Sequence, residues 1–147
     1  MYNDWTASDG SLLFPGFPIS SSPSHYGEVT TIPDHFGLEY FYGFVYNSTT
    51  WDWTKFDGET TVAYTDSLNT GDIAALDMDL SAFKANGGKL IMYHGLSDTT
   101  IPTGSSIEYI QGVNQTMGSI EDFFQLYLVP GMGHVSCLIQ SLRHPKF

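Results

Sequence analysis

Two short apolar runs stand out in the last third of the chain, Leu90–Tyr93 and Phe123–Val129. Gly87-Gly88 precedes the first and Pro130-Gly131 follows the second. Short apolar runs with such flanks read as buried strands, here Lys89–Tyr93 and Phe123–Val129. Between them Ile107, Ile110, Val113 and Met117 recur at helical spacing, which predicts an amphipathic helix over Thr103–Gly118. Ser105 and Glu108 have capping-box spacing at its start, and Gly112 weakens it modestly. A shorter helix is predicted over Leu80–Asn86, with Asp79 as its N-cap and Gly87 as the left-handed residue that ends it. Strand, helix, strand makes a βαβ unit with parallel strands and a right-handed crossover. Both strands are almost continuously apolar, which predicts a sheet covered on both faces.

The first half is patterned differently. Residues 1–36 are rich in Ser, Gly and Pro, with Phe14-Pro15-Gly16-Phe17-Pro18 near the centre and no helical period. So long an irregular segment is expected to wrap over something else, a sign that a partner part is missing. Residues 37–56 hold Tyr40, Phe41, Tyr42, Phe44, Tyr46, Trp51, Trp53 and Phe56. Leu38–Tyr46 reads equally as a strand or a short helix. The aromatics read first as a packing face of a core or lid, and second as a wall that stacks a flat substrate ring. Glu59–Thr65 is predicted as a short strand and Asn69–Asp72 as a turn. Asp72, Asp77 and Asp79 form a loose acidic set without the D-x-[DN]-x-[DN]-G pattern of a calcium loop.

Composition narrows the function. A chain of 147 residues is one domain or part of a larger one. Sixteen acidic against five basic residues give a net charge of −11, which argues against nucleic acid and anionic membranes as partners. It suits a secreted protein. The single cysteine, Cys137, has no internal disulfide partner. No stretch approaches the ~20 apolar residues of a membrane span, and the first residues have neither the basic start nor the apolar run of a signal peptide. Two glycosylation sequons, at Asn47 and Asn114, point weakly to secretion.

The chemistry sits where the βαβ unit ends its strands. Asp98 follows the first strand and His134 follows the second, in Gly131-Met132-Gly133-His134. Open α/β sheets carry their chemistry at that carboxyl edge. Neighbouring parallel strands lie ~4.8 Å apart, so the two loops can touch. An Asp accepting from one imidazole nitrogen fixes the tautomer and leaves the other nitrogen as a general base. Asp before His, late in the chain, is the α/β-hydrolase order, in which a serine comes earlier. No G-x-S-x-G elbow is present. Gly95–Thr99 lacks the last glycine, and Ser97 adjoins Asp98, which makes it a poor nucleophile. His94 is either a metal ligand with Asp98 and His134 or a structural residue at a strand end. Zinc-type spacing is absent, which favours the structural reading. His25, His35 and His144 are read as structural in the same way.

GGKLIMYHGLSDTTIP followed by FFQLYLVPGMGH resembles the tannase and feruloyl esterase family of secreted serine esterases. DLSAFKANGGKL, HGLSD and VPGMGH, within Asp79–His134, carry the likeness most sharply. SLLFPGF and the WDW–FD region carry it less sharply, and the likeness is expected to span residues 1–134. The resemblance implies the C-terminal part of an α/β-hydrolase with a large lid domain, cleaving carboxylic esters of phenolic acids such as galloyl or feruloyl esters. It maps the family's catalytic Asp onto Asp98 and its catalytic His onto His134. It places the nucleophilic serine, in a C-S-x-G-G-like segment, and an aspartate-rich calcium site of the lid upstream of this chain, so no cofactor is expected within it. Residues 1–78 are then late lid and return to the sheet, 79–134 the C-terminal hydrolase portion, and 135–147 an atypical tail.

The family has a cysteine directly after the catalytic histidine, bonded to one beside the serine. Here Val135 stands there and Cys137 comes three places after His134. Val-Ser at 135–136 can be encoded by GTGAGT, an intron start, so the tail is expected to be a retained intron or shifted gene model; real variation with Cys137 bonded elsewhere is the alternative. The whole reads as a fragment without its nucleophile, inactive alone and dependent on the missing N-terminal part. The rival reading is a secreted, non-catalytic, aromatic-rich module binding polyphenols or polysaccharide.

Overall fold

The computed structural model describes residues 2–19 and 35–134. They fall into two compact units, one of residues 4–15 and 35–77, the other of 2–3, 16–19 and 78–134.

In the first unit β1 (Trp5–Thr6) pairs antiparallel with β2 (Leu12–Phe14). Gly10 turns the hairpin at φ +85°, and Asp9 Oδ1 accepts from the Ser11 N–H at 2.8 Å. The sequence reads as irregular here because strands of two and three residues are too short to show alternation. Between Leu38 and Tyr46 the chain is helical. α1 (His35–Tyr40) runs into a π-helical turn, Phe41–Val45, in which the Tyr46 N–H reaches back to the Phe41 carbonyl at 2.9 Å. Stacking of Tyr40 on Phe44, one turn on, suits that geometry.

The strand predicted at Glu59–Thr65 is instead part of α2 (Gly58–Leu68). Capping overrides the β preference of its threonines. Asp57 is the N-cap, its Oδ1 accepting from the Thr60 N–H at 2.9 Å and the Thr60 hydroxyl at 2.7 Å. The Thr65 hydroxyl then donates back to the Thr61 carbonyl. Asn69, at φ +37°, ends the helix, and a 3-10 turn at Thr70–Asp72 occupies the predicted turn.

In the second unit α3 spans Ser81–Ala85. The N-cap position is Leu80 rather than Asp79, yet Asp79 Oδ1 still accepts from the Ser81 N–H at 3.0 Å. Gly87 ends the helix at φ +77°, as expected. β3 (Leu90–Gly95) runs two residues beyond the predicted strand and pairs parallel with β4 (Phe124–Val129), from Leu90↔Phe124 to Gly95↔Val129. α4 (Thr103–Met117) links them. Its capping box does not form. Pro102 takes the cap position, so Ser105 lies inside the first turn and its hydroxyl donates to the Pro102 carbonyl at 2.8 Å.

Val113, Ile120, Phe123 and Phe124 are the buried core, with Leu80, Leu90, Met92, Tyr109, Ile110 and Met117 packed around them. Ile110, Val113 and Met117 thus lie on the face their spacing predicts. The sheet is covered on one face only within this unit. Ile91 and Tyr93 on β3 and Tyr127 on β4 keep 70%, 62% and 53% of their surface exposed. Continuous apolar character reports what a strand is suited to meet, and here it outruns what the unit itself supplies.

Candidate active site

β3 and β4 end side by side, and their last paired residues, Gly95 and Val129, start the two loops that carry Asp98 and His134. The ladder continues past the strands, with the Leu96 N–H donating to the Val129 carbonyl at 3.0 Å and the Ser97 N–H to the Met132 carbonyl at 2.9 Å. These bonds fasten one loop to the other. Gly95 is required by that approach, because a Cβ there would sit on the Met132 carbonyl. The buried Thr103 hydroxyl donates to the Gly95 carbonyl at 2.6 Å, which ties the start of α4 to the same point.

Asp98 is 3% exposed. Its Oδ1 accepts from the Thr100 and Ile101 N–H groups at 2.8 and 2.9 Å. Its Oδ2 lies 3.0 Å from Nδ1 of His134. Carboxylate oxygens only accept, so His134 carries its proton on Nδ1 when neutral. Nε2, on a side chain that is 45% exposed, pairs with none of the described residues. Burial pushes the Asp98 carboxyl up, but the N–H groups of Ile101 and Thr100, and then His134, more than offset it and hold it below the usual carboxylate value. The result is a buried anion behind an accessible imidazole, an arrangement that can take a proton at Nε2 and stabilise the imidazolium. A pocket of about 170 Å³ opens beside it, lined by His94, Gly95, Asp98, Ile101, Met132 and His134 among others.

His94, read from the sequence as a structural residue at a strand end, meets the acid as a third group. His94 Nε2 lies 3.2 Å from Asp98 Oδ2 and 3.2 Å from the Ile101 carbonyl, and its Nδ1 lies 2.7 Å from the Ser106 hydroxyl. The HG…D spacing was visible, but nothing in the pattern shows that Ser106, in the first turns of α4, meets the imidazole. His94 is therefore at a strand end, as expected, and also in contact with the acid. Among the described residues no group of three or more His, Cys, Asp or Glu could hold a metal ion, which goes against His94 as a metal ligand with Asp98 and His134.

The remaining candidates are spread out. His35 pairs with Glu39 at 3.3 Å on an exposed helix face. Asp72 accepts from the Asn69 side-chain amide at 2.8 Å. Asn47 is exposed at a left-handed φ of +46°, and Asn114 is exposed on α4. The aromatics of the first unit stack on each other, with Trp51 4.9 Å from both Phe41 and Tyr46. They also border a largely apolar pocket of about 420 Å³ with Phe41, Trp51, Trp53 and Phe56 in its wall. His25, Cys137, His144 and the tail 135–147 lie outside the described residues.

The profile of a family described as "Tannase and feruloyl esterase" matches residues 41–142, a span that runs eight residues past His134. A probable feruloyl esterase B-1 from Aspergillus terreus is 36% identical over 132 residues, covering 86% of this chain and 25% of its own. The crystal structure of an esterase from Aspergillus oryzae superposes with a TM-score of 0.83 at 27% identity, over 92% of this chain and 28% of that one. Feruloyl esterase B from Aspergillus oryzae gives 0.80 at 26% identity, over 90% and 28%. The chain spans about a quarter of the length of the curated relatives it matches.

Proposed function

The chain belongs to the tannase and feruloyl esterase family, and on that premise we propose that it supplies the acid–base pair of an α/β-hydrolase cleaving carboxylic esters of phenolic acids. The observation that carries the proposal is the 3.0 Å contact of Asp98 Oδ2 with His134 Nδ1 at the shared carboxyl edge of two parallel strands. A serine from the upstream part, absent from these 147 residues' motifs, attacks the ester carbonyl. His134 takes the serine proton on Nε2. Asp98 holds the ring in the Nδ1–H tautomer and stabilises the imidazolium. The same Nε2–H then protonates the leaving alkoxide, and a water repeats the cycle on the acyl-enzyme. Oxyanion stabilisation comes with the upstream serine. The aromatic pocket of the first unit supports a phenolic acyl group as substrate. Secretion, glycosylation at Asn47 and Asn114, and dependence on the upstream region complete the reading; the two sequons and the acidic composition support the first two, and the quarter-length match to the relatives supports the third.

The test has two arms. The purified 147-residue chain is expected to turn over neither a feruloyl nor a galloyl ester; turnover blocked by a serine-directed phosphonate contradicts the missing nucleophile. In a restored enzyme, with this chain placed after the upstream part of a feruloyl esterase relative, His134→Ala is expected to lower kcat by several orders of magnitude with KM little changed. A change below tenfold means that His134 is not the base.

A further inference from the structure

We infer that His94, held by Ser106, is a positioning residue that fixes the Asp98 carboxylate for His134; this rests on the reading of Asp98 and His134 as the acid–base pair. Three acceptors and donors around the ring leave one assignment. Nε2 faces the Asp98 carboxylate and the Ile101 carbonyl, both at 3.2 Å and both able only to accept, so Nε2 carries the proton. Nδ1 of the neutral ring must then accept, and the Ser106 hydroxyl at 2.7 Å donates to it. His94 is 12% exposed at its side chain, so water does not readily replace these partners.

The consequence falls on one oxygen. Asp98 Oδ1 is anchored by its own loop, through the Thr100 and Ile101 N–H groups. Oδ2 is the atom that His134 uses, at 3.0 Å from Nδ1. His94 anchors the same oxygen from β3, an element of the sheet rather than of the loop. With both oxygens bound, rotation about the carboxylate is stopped from two sides, and the direction in which Oδ2 presents its lone pairs to His134 is fixed. His94 acts through Asp98, whose Oδ2 it meets at 3.2 Å.

The experiment uses the restored enzyme and, in parallel, the 147-residue chain. His94→Leu, which keeps the bulk and removes the N–H, is expected to lower kcat by about ten- to a hundredfold, the size of effect expected for a slightly misplaced catalytic group. KM should change less than twofold. His94→Gln, whose amide N–H can reach the same acceptors, is expected to recover most of the loss, while a residue needed only for packing would be served as well by Leu. Full activity of His94→Leu in an enzyme that His134→Ala inactivates overturns this inference and leaves the acid–base pair standing. Retained activity of His134→Ala instead overturns the pair. If the hybrid is inactive, ring ¹⁵N NMR of the 147-residue chain decides. His94 in the Nε2–H tautomer, shifting toward a mixture in Ser106→Ala, supports the inference; an Nδ1–H tautomer overturns it.

Discussion

Asp98→Asn is the sharpest single test of the site. The substitution keeps the shape and exchanges one acceptor oxygen for an NH₂ group. Two orientations are available. With the amide nitrogen on the Oδ1 side, it meets the Thr100 and Ile101 N–H groups, donors that belong to the main chain and cannot move their protons. With the nitrogen on the Oδ2 side it meets Nε2 of His94 and Nδ1 of His134, which can. The second orientation wins for that reason. His134 must then shift its proton to Nε2 so that Nδ1 can accept, and the base at Nε2 is lost. His94 keeps the Ile101 carbonyl for its own N–H. The expected loss in kcat for the restored enzyme is about 10⁴-fold, the cost of a wrong imidazole tautomer in a triad. Stability should fall as well. Two charge-assisted bonds on Oδ2 are lost in a residue that is 3% exposed, and water can re-solvate only the half-exposed His134, so about 2–4 kcal/mol is expected. Steady-state kinetics and a urea titration measure the two effects on one preparation. A kcat within tenfold of the parent, with the urea midpoint unmoved, refutes the assignment of both oxygens.

Three further outcomes are expected. Gly95→Ala drives a Cβ onto the Met132 carbonyl and close to that of Gly133, so the His134 loop must move. Activity of the restored enzyme should drop by at least tenfold and stability by about 1–3 kcal/mol, and an unaffected variant would mean that the loops are not stitched as described. Asp57→Ala removes the N-cap of α2 and should cost about 1 kcal/mol in a thermal or urea melt without touching kcat. Acid should weaken the fold through Asp98: its folded carboxyl lies below the ordinary 3.8, so its contribution is complete above that value and is lost as pH falls through the lower, folded one. Unfolding free energies from pH 6 downward should show this fall, and Asp98→Asn should remove its share; an identical slope in both proteins contradicts it.

The βαβ unit was legible because each of its elements is specified locally. Ile110, Val113 and Met117 announce the buried face of α4, and Gly87 announces the end of α3. Asp98 and His134 were legible because a parallel pair must bring its two carboxyl ends together. What escaped was set by contacts that pattern does not encode. Threonines at 60, 61 and 65 favour a strand by propensity, but the Asp57 cap commits the segment to helix. Ser105 has the spacing of a cap, yet Pro102, with φ fixed at −58°, already starts the helix. The link from His94 to Ser106 depends on where the first turns of α4 lie over the end of β3, which the Thr103–Gly95 bond decides.

The pair Asp98–His134 is separated by 36 residues, and the contacts that position it are of two kinds, local bonds around Asp98 and bonds across the parallel strand pair. Asp98 is held by N–H groups two and three residues on, and by His94 four residues back. His134 lies two residues after Met132, whose carbonyl the Ser97 N–H holds. The parallel register of six residue pairs does the rest. Each of these contacts lies within the βαβ unit and its loops. On the proposed reading the nucleophile must therefore be brought to a base that is already built. The place is defined: Nε2 of His134, the ring atom without a partner among the described residues, on the exposed side of the imidazole and beside the 170 Å³ pocket. A serine that enters there meets an oriented lone pair, whereas one presented on the Asp98 side would meet a buried carboxylate already occupied by donors.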